Sequence, residues 1–146
     1  MKLITVLTPC FNEEENVEPL YRAVKEVFAK LPHYCYEHLF IDNASTDRTV
    51  TILRSLARQD ANVKVIVNAR NFGPVRSSFH GLLQARGDAV IGIVADFQDP
   101  PELIPGLIAK WEEGFKAVMT VKEASKENRL MYAIRERYYN MLARIS

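Results

Sequence analysis

Four polar clusters interrupt an otherwise apolar pattern: Pro9–Glu15, Asp42–Asp47, Asn68–Arg76 and Asp96–Asp99. The last is the most telling. An apolar run through Ile91, Ile93 and Val94 breaks into Asp96-Phe97-Gln98-Asp99 and stops at two prolines. A bare turn needs Gly, Pro, Asn or one Asp, not this cluster. Asp carboxylates and a Gln carbonyl are hard oxygen donors. They suit Mg²⁺ or Mn²⁺, which keep positions open for phosphate oxygens. The glycine-rich phosphate loops GxGxxG and GxxxxGK[ST] are absent from the sequence. The first cluster carries Glu13, Glu14 and Glu15 instead, which repel a diphosphate. The Asp96 cluster therefore reads as a metal platform for a nucleotide diphosphate, or, more plainly, as a box before a helix.

The elements that must hold these clusters alternate. Strands are expected at 3–9, 36–43, 62–68, 88–96 and 115–121, and helices at 13–31, 45–58, 74–86, 101–114 and 128–145. Val17, Leu20, Val24, Val27 and Leu31 recur at helical spacing in the first helix. Ser45 or Thr46 is the expected N-cap of the second, with Asp47 in its first turn. Pro74 opens the third and Gly87 follows its end. Strand–helix alternation predicts an α/β fold, a mostly parallel sheet flanked by helices. Such sheets bind ligands beyond the carboxyl ends of their strands, where all four clusters fall.

The chain has 146 residues, enough for one domain with its own core. Lys+Arg is 19 against Asp+Glu 18, a balance that offers nucleic acid no electrostatic footprint. No stretch reaches the ~18 apolar residues of a membrane span. Cys10 and Cys35 read as reduced thiols in a cytoplasmic protein. His33, His38 and His80 are scattered and are assigned no metal, and Trp111 reads as core.

The stretches "VLTPCFNEEENV" (6–17), "FIDNASTDRT" (40–49), "NARNFGPVRSSFHGLLQARGD" (68–88) and "VADFQDPPELIP" (94–105) together resemble the family-2 glycosyltransferases. The similarity is to the branch with dolichyl-phosphate-mannose synthases and bacterial polyprenyl-phosphate sugar transferases. It implies the nucleotide-diphospho-sugar transferase fold (GT-A, Rossmann-like). It also implies inverting transfer of a sugar from a nucleotide-sugar donor, with a UDP-sugar favoured, to a polyprenyl phosphate or cell-envelope glycan. Residue by residue, the resemblance places Pro9, Phe11, Asn12 and Glu13 on the base and ribose, with Asp42 accepting a hydrogen bond from the base. Asn43 stands where many members carry a second Asp. Asn71, Gly73 and Arg76 match the segment that closes over the nucleotide, and Gly81, Gly87 and Asp88 match small-residue positions after it. Asp96 and Gln98 match the metal motif for Mg²⁺ or Mn²⁺. Val94 occupies the place of its first carboxylate, so Asp96 is the anchor.

No convincing catalytic base is present in the sequence. Relatives in this branch are longer, so residues 1–146 are expected to be a single donor-binding domain truncated before its acceptor side. The alternative is a nucleotide-binding module without transferase activity. A receiver-like regulatory domain also fits the alternation, but its required lysine is not evident. The expected location is cytoplasmic, at the inner face of the membrane in a longer native form. The sequence leaves oligomeric state open. "KEASKENR" (122–129) reads as a charged loop, and the basic helix expected after it packs on its own domain or lies on a membrane.

Overall fold

The computed structural model describes residues 1–121 and Arg137. The helix expected at 128–145, Arg137 apart, and the whole charged loop 122–129 lie outside the described residues. Four parallel strands form the sheet in the order β3-β2-β1-β4. They are β1 (Lys2–Cys10), β2 (Tyr34–Asp42), β3 (Val63–Val67) and β4 (Ala89–Gly92). Between them run α1 (Val17–Ala29), α2 (Thr49–Gln59) and α3 (Pro74–Gln84). A 3₁₀ turn at Pro101–Leu103 leads into α4 (Ile104–Glu112).

The apolar periodicity of α1 does what its spacing predicts. Val17, Leu20, Val24 and Phe28 are buried against Ile4, Val6 and Phe40 of the sheet. Leu53 and Leu56 of α2 and Ile104 and Ile108 of α4 join the same cluster. A smaller cluster of Leu7, Leu39 and Ile41 lies on the opposite face. There α3 comes close because residue 81 is glycine. A Cβ at that position would meet Leu7 Cδ1 at 2.7 Å and Ile41 Cγ2 at 3.1 Å. At Gly87 a Cβ would stand 2.5 Å from the Thr5 backbone nitrogen. Gly87 and Asp88 therefore serve the amino end of the sheet: Gly87 N–H donates to Thr5 Oγ1 at 2.9 Å, and Leu3 N–H to Asp88 Oδ2 at 2.8 Å. Trp111 is half-buried against the main core with Lys2 Nζ 4.7 Å from its ring centroid.

Several boundaries differ from the sequence expectation. The fourth strand ends at Gly92, not Asp96. Leu7 pairs with Gly92, and Ile93 N–H still donates to Leu7 O at 3.0 Å. The next rung would need an N–H from Pro9, which has none. Burial nevertheless keeps alternating through Ile93 and Ala95, so the chain leaves the sheet while still extended in pattern. The stretch 115–121 forms no strand. It has no ladder partner among the described residues, and Phe115, Met119 and Val121 are exposed. Glu13–Glu15 precede α1 rather than forming its first turn, because Glu13 O accepts the N–H groups of Asn16 and Val17 in a separate turn. Neither Ser45 nor Thr46 caps α2. Asp47 Oδ1 accepts Thr49 N–H at 2.9 Å and starts the helix two residues later.

Cys10 and Cys35 are both free, Cys10 buried and Cys35 exposed. Cys10 pairs with Asp42 and Cys35 with Leu3. They thus sit about 23 Å apart along the strands, beyond any disulfide.

His38 is wholly buried in β2, with Nε2 3.0 Å from Thr8 Oγ1 and its ring stacked on Phe40. Among the described residues its Nδ1 has no partner. Burial lowers its pKa from 6.5 to about 3. The unfolded chain therefore binds a proton that the folded chain refuses between those values. Stability falls as pH drops below 6.5, by up to about 1.4 kcal/mol per pH unit. Thermal melts from pH 6.5 to about 4.5 should show a loss near 2 kcal/mol. That window lies above the titration of Asp60, which burial pushes up but Lys25, Asn62 and Tyr21 hold down at about 2. A His38→Gln variant should be flat across it; an equal slope in that variant refutes the assignment.

Candidate functional site

Four loops follow the carboxyl ends of the strands, and the first two are stitched together. Asn12 N–H donates to Ser45 Oγ at 2.9 Å, and Asn12 Oδ1 accepts Thr46 N–H at 2.8 Å. Glu13 N–H donates to Thr49 Oγ1 at 2.8 Å, and Glu14 N–H to Asp47 Oδ2 at 3.1 Å. In return Glu14 Oε2 accepts Arg48 N–H at 2.9 Å and Nε–H at 3.1 Å. Glu13 Oε2 accepts Asn16 Nδ2–H at 2.7 Å. Hydrogen bonds from Glu14 and Thr49 hold the Asp47 carboxyl low although burial pushes it up. The acidic run is thus largely consumed in holding two loops at one spacing.

Asp42 ends β2 and is fully buried. Its carboxylate accepts Ser45 N–H at 2.9 Å and the Ser45 hydroxyl. Its first effect is therefore on the shape of the 43–46 turn. Asn43, beside it, spends its amide on the third cluster. Its Nδ2–H donates to Asn71 Oδ1 at 2.9 Å, and its Oδ1 accepts Asn68 Nδ2–H at 3.2 Å and Phe72 N–H at 3.0 Å. Asn68 Nδ2–H also reaches Ser77 Oγ at 2.9 Å, and Gly73 N–H reaches Asn71 Oδ1 at 2.8 Å. This amide network pins loop 68–73 and the start of α3. Only a side chain that both donates and accepts can occupy position 43, which is why Asn stands there.

On the fourth loop, Asp96 is exposed. Its Oδ1 accepts Gln98 N–H at 3.2 Å and its Oδ2 accepts Gln98 Nε2–H. Phe97 between them has φ 58. Among the described residues, the non-glycine residues of positive φ are Asn12, Ala44 and Phe97, one on each loop after β1, β2 and β4. Such backbone costs of order 1–3 kcal/mol and gathers where function over-determines it.

The structure thus brings Asn12, Glu13, Asp42, Asn43 and Asn71 to one edge, with Pro9 and Phe11 on the strand and loop leading into it. Phe11 and Arg76 are exposed. Thr49 and Ser77 are structural partners that the sequence did not single out, while Ser45, expected as a helix cap, and Asn68 serve instead as partners of Asp42 and Asn43. The polar run "DNASTD" (42–47) carried the signal for Ser45. Asp96 and Gln98 touch each other. Among the described residues, no group of three or more His, Cys, Asp or Glu gathers that could hold a metal without a ligand's help. The pair still fits Mg²⁺, which is commonly held by one or two carboxylates plus substrate phosphates and water. A half-turn of the Gln98 amide brings its carbonyl oxygen beside Asp96. Burial, Asp42 and Glu13 all raise the Cys10 thiol pKa, so that thiol is inert.

Comparison with known proteins adds to this geometry. Residues 5–145 match the model of glycosyl transferase family 2. The bactoprenol glucosyl transferase of Shigella phage SfV is 40% identical over 144 residues, 98% of this chain and 47% of that protein. The undecaprenyl-phosphate 4-deoxy-4-formamido-L-arabinose transferase of Pseudomonas fluorescens is 33% identical over 129 residues, 88% of this chain and 38% of that protein. The crystal structure of S. aureus TarS 1-349 superposes with TM-score 0.64 at 25% identity, over 87% of this chain and 40% of that one. The chain spans less than half the length of these relatives. A parallel sheet of order β3-β2-β1-β4, polar loops at its carboxyl edge and this match over nearly the whole chain lead to one conclusion: the chain belongs to glycosyl transferase family 2 and has the GT-A, Rossmann-like fold of nucleotide-sugar transferases.

Proposed function

We propose that this domain binds the donor of an inverting sugar transfer from a UDP-sugar to a polyprenyl phosphate at the membrane surface. The observation that carries the reading is the stitching of loops 11–16 and 43–49 around Asp42, with Asp96 exposed on the loop beyond β4. The names of the bactoprenol and undecaprenyl-phosphate relatives support the acceptor class. Phe11, Asn12 and Glu13 line the uridine, and Asp42 fixes the turn against it and accepts from the base when the Ser45 hydroxyl turns away. Asn71 and Arg76 lie along the diphosphate, where the guanidinium takes up negative charge. Asp96 and Gln98 are the residues that would hold Mg²⁺ or Mn²⁺. The ion, when bound, neutralises charge developing on the leaving diphosphate. A phosphate acceptor is anionic at neutral pH and attacks without a general base.

The residues named all serve the donor. This favours a second reading in which the 146 residues bind nucleotide but transfer sugar poorly alone. The experiment is a radiolabelled transfer assay from UDP-glucose to polyprenyl phosphate, with calorimetry of UDP binding. Saturable, Mn²⁺-assisted UDP binding with weak transfer by this chain, restored in a longer form, is expected. Absence of UDP binding overturns the function.

A further inference from the structure

Helix α3 is amphipathic in the inverted sense. Ser77 and Gly81 face the sheet and are buried. Leu82, Val75, Phe79 and Leu83 fall in an arc of about 100° on the opposite side. They are exposed to 46%, 79%, 59% and 65% respectively. Arg76 borders that arc and Arg86 follows the end of the helix, both exposed. Phe72, 40% exposed with the Arg70 guanidinium 4.9 Å from its ring centroid, extends it to the rim of the candidate site. No Asp or Glu occurs between residues 61 and 87, while Lys64, Arg70, Arg76 and Arg86 do. A cleft of about 540 Å³ runs beside the stripe between Val75, Phe79, Leu82 and Val90.

We infer that this face docks the domain onto an anionic lipid bilayer, with α3 lying in the interface and Phe79 and Leu83 inserted. A contiguous apolar stripe edged by arginines on an otherwise charge-balanced protein is the pattern of helices that lie in the headgroup region. A second copy of the chain is a poor occupant. A two-fold contact would set Arg76 and Arg86 against their equivalents with no carboxylate on the segment to pair them. Residues 122–146 are a poor one too, since they carry six Lys or Arg against three Glu. Docking by α3 would put Arg70, Phe72 and Arg76 at the lipid surface. A lipid phosphate would then arrive beside the nucleotide loops. The inference rests on the proposed acceptor for its purpose, not for its evidence.

The test is co-sedimentation of the 146-residue chain with phosphatidylglycerol–phosphatidylethanolamine vesicles and with phosphatidylcholine vesicles. Binding is expected on the first and not the second, and should weaken with salt. The double variant Phe79→Glu, Leu83→Glu should lose at least about tenfold in partitioning. Its circular dichroism and its UDP binding should be unchanged. Undiminished vesicle binding by the double variant overturns the inference, as does failure of the unaltered chain to bind anionic vesicles. A dimer in sedimentation equilibrium that the double variant abolishes also overturns it, in favour of a second copy. UDP calorimetry without lipid keeps the two proposals apart: loss of UDP binding with intact vesicle binding defeats the donor site alone.

Discussion

Asp96→Ala should lower UDP affinity by about a hundredfold in the presence of Mn²⁺ and leave uridine affinity unchanged. The diphosphate brings at least two negative charges to an edge already bearing Glu13, Glu14 and Asp47, and no glycine-rich loop offers backbone N–H groups to it. A divalent cation held at Asp96 would remove that repulsion. Uridine has no phosphate to share. EDTA should therefore reproduce the Asp96→Ala effect in the unaltered chain and add nothing in the variant. Val94→Ala should be silent, since that side chain offers no oxygen. Titration calorimetry of UDP and uridine, each with Mn²⁺ and with EDTA, reads all of these at once. UDP affinity indifferent to EDTA would reduce the Asp96–Gln98 pair to a turn that starts the next helix.

The second large effect is expected at Asp42, and it has the opposite signature. Asp42→Asn keeps the shape of the side chain but replaces one acceptor oxygen by a donor facing Ser45. The charge-assisted bonds lost are worth about 1.5–3 kcal/mol. UDP affinity should fall about ten- to a hundredfold, and uridine affinity by the same factor, because the change acts on the nucleoside end. Ser45→Ala separates the two routes. It removes the hydroxyl bond but keeps Ser45 N–H on Asp42, so a smaller loss is expected if Asp42 also meets the base. Unchanged UDP affinity in Asp42→Asn would remove this residue from the site.

The layout of the edge was legible because it follows from strand–helix alternation alone. Val17, Leu20 and Val24 announce α1, Pro74 announces α3, and parallel sheets put their loops where ligands bind. What escaped were effects that need a partner distant in sequence. Nothing near Ile93 says that β4 ends at Gly92, because the missing N–H belongs to Pro9 on another strand. The turn of Glu13–Asn16 reads like a helix start until Asp47 and Thr49 are seen to claim the Glu14 and Glu13 N–H groups. Asn43 reads as a departure from a carboxylate motif. Its neighbours Asn68, Asn71 and Phe72 show why an amide is required there. The apolar run at 115–121 has strand composition, but composition supplies no neighbouring edge.

The two thiols give the chain an internal measure of its own opening. Only the thiolate reacts with alkylating reagents, and only where reagent can reach it. Cys35 sits exposed at the amino end of the sheet and reports the reagent's intrinsic rate. Cys10 lies under the loops of the carboxyl edge, with its Sγ 3.6 Å from Thr8 O. It can be modified only when the carboxyl edge parts from the core. The ratio of the two rates is therefore the equilibrium constant for that local parting. Any molecule that settles across the edge must slow Cys10 by the factor with which it favours the closed form, while Cys35 keeps time unchanged.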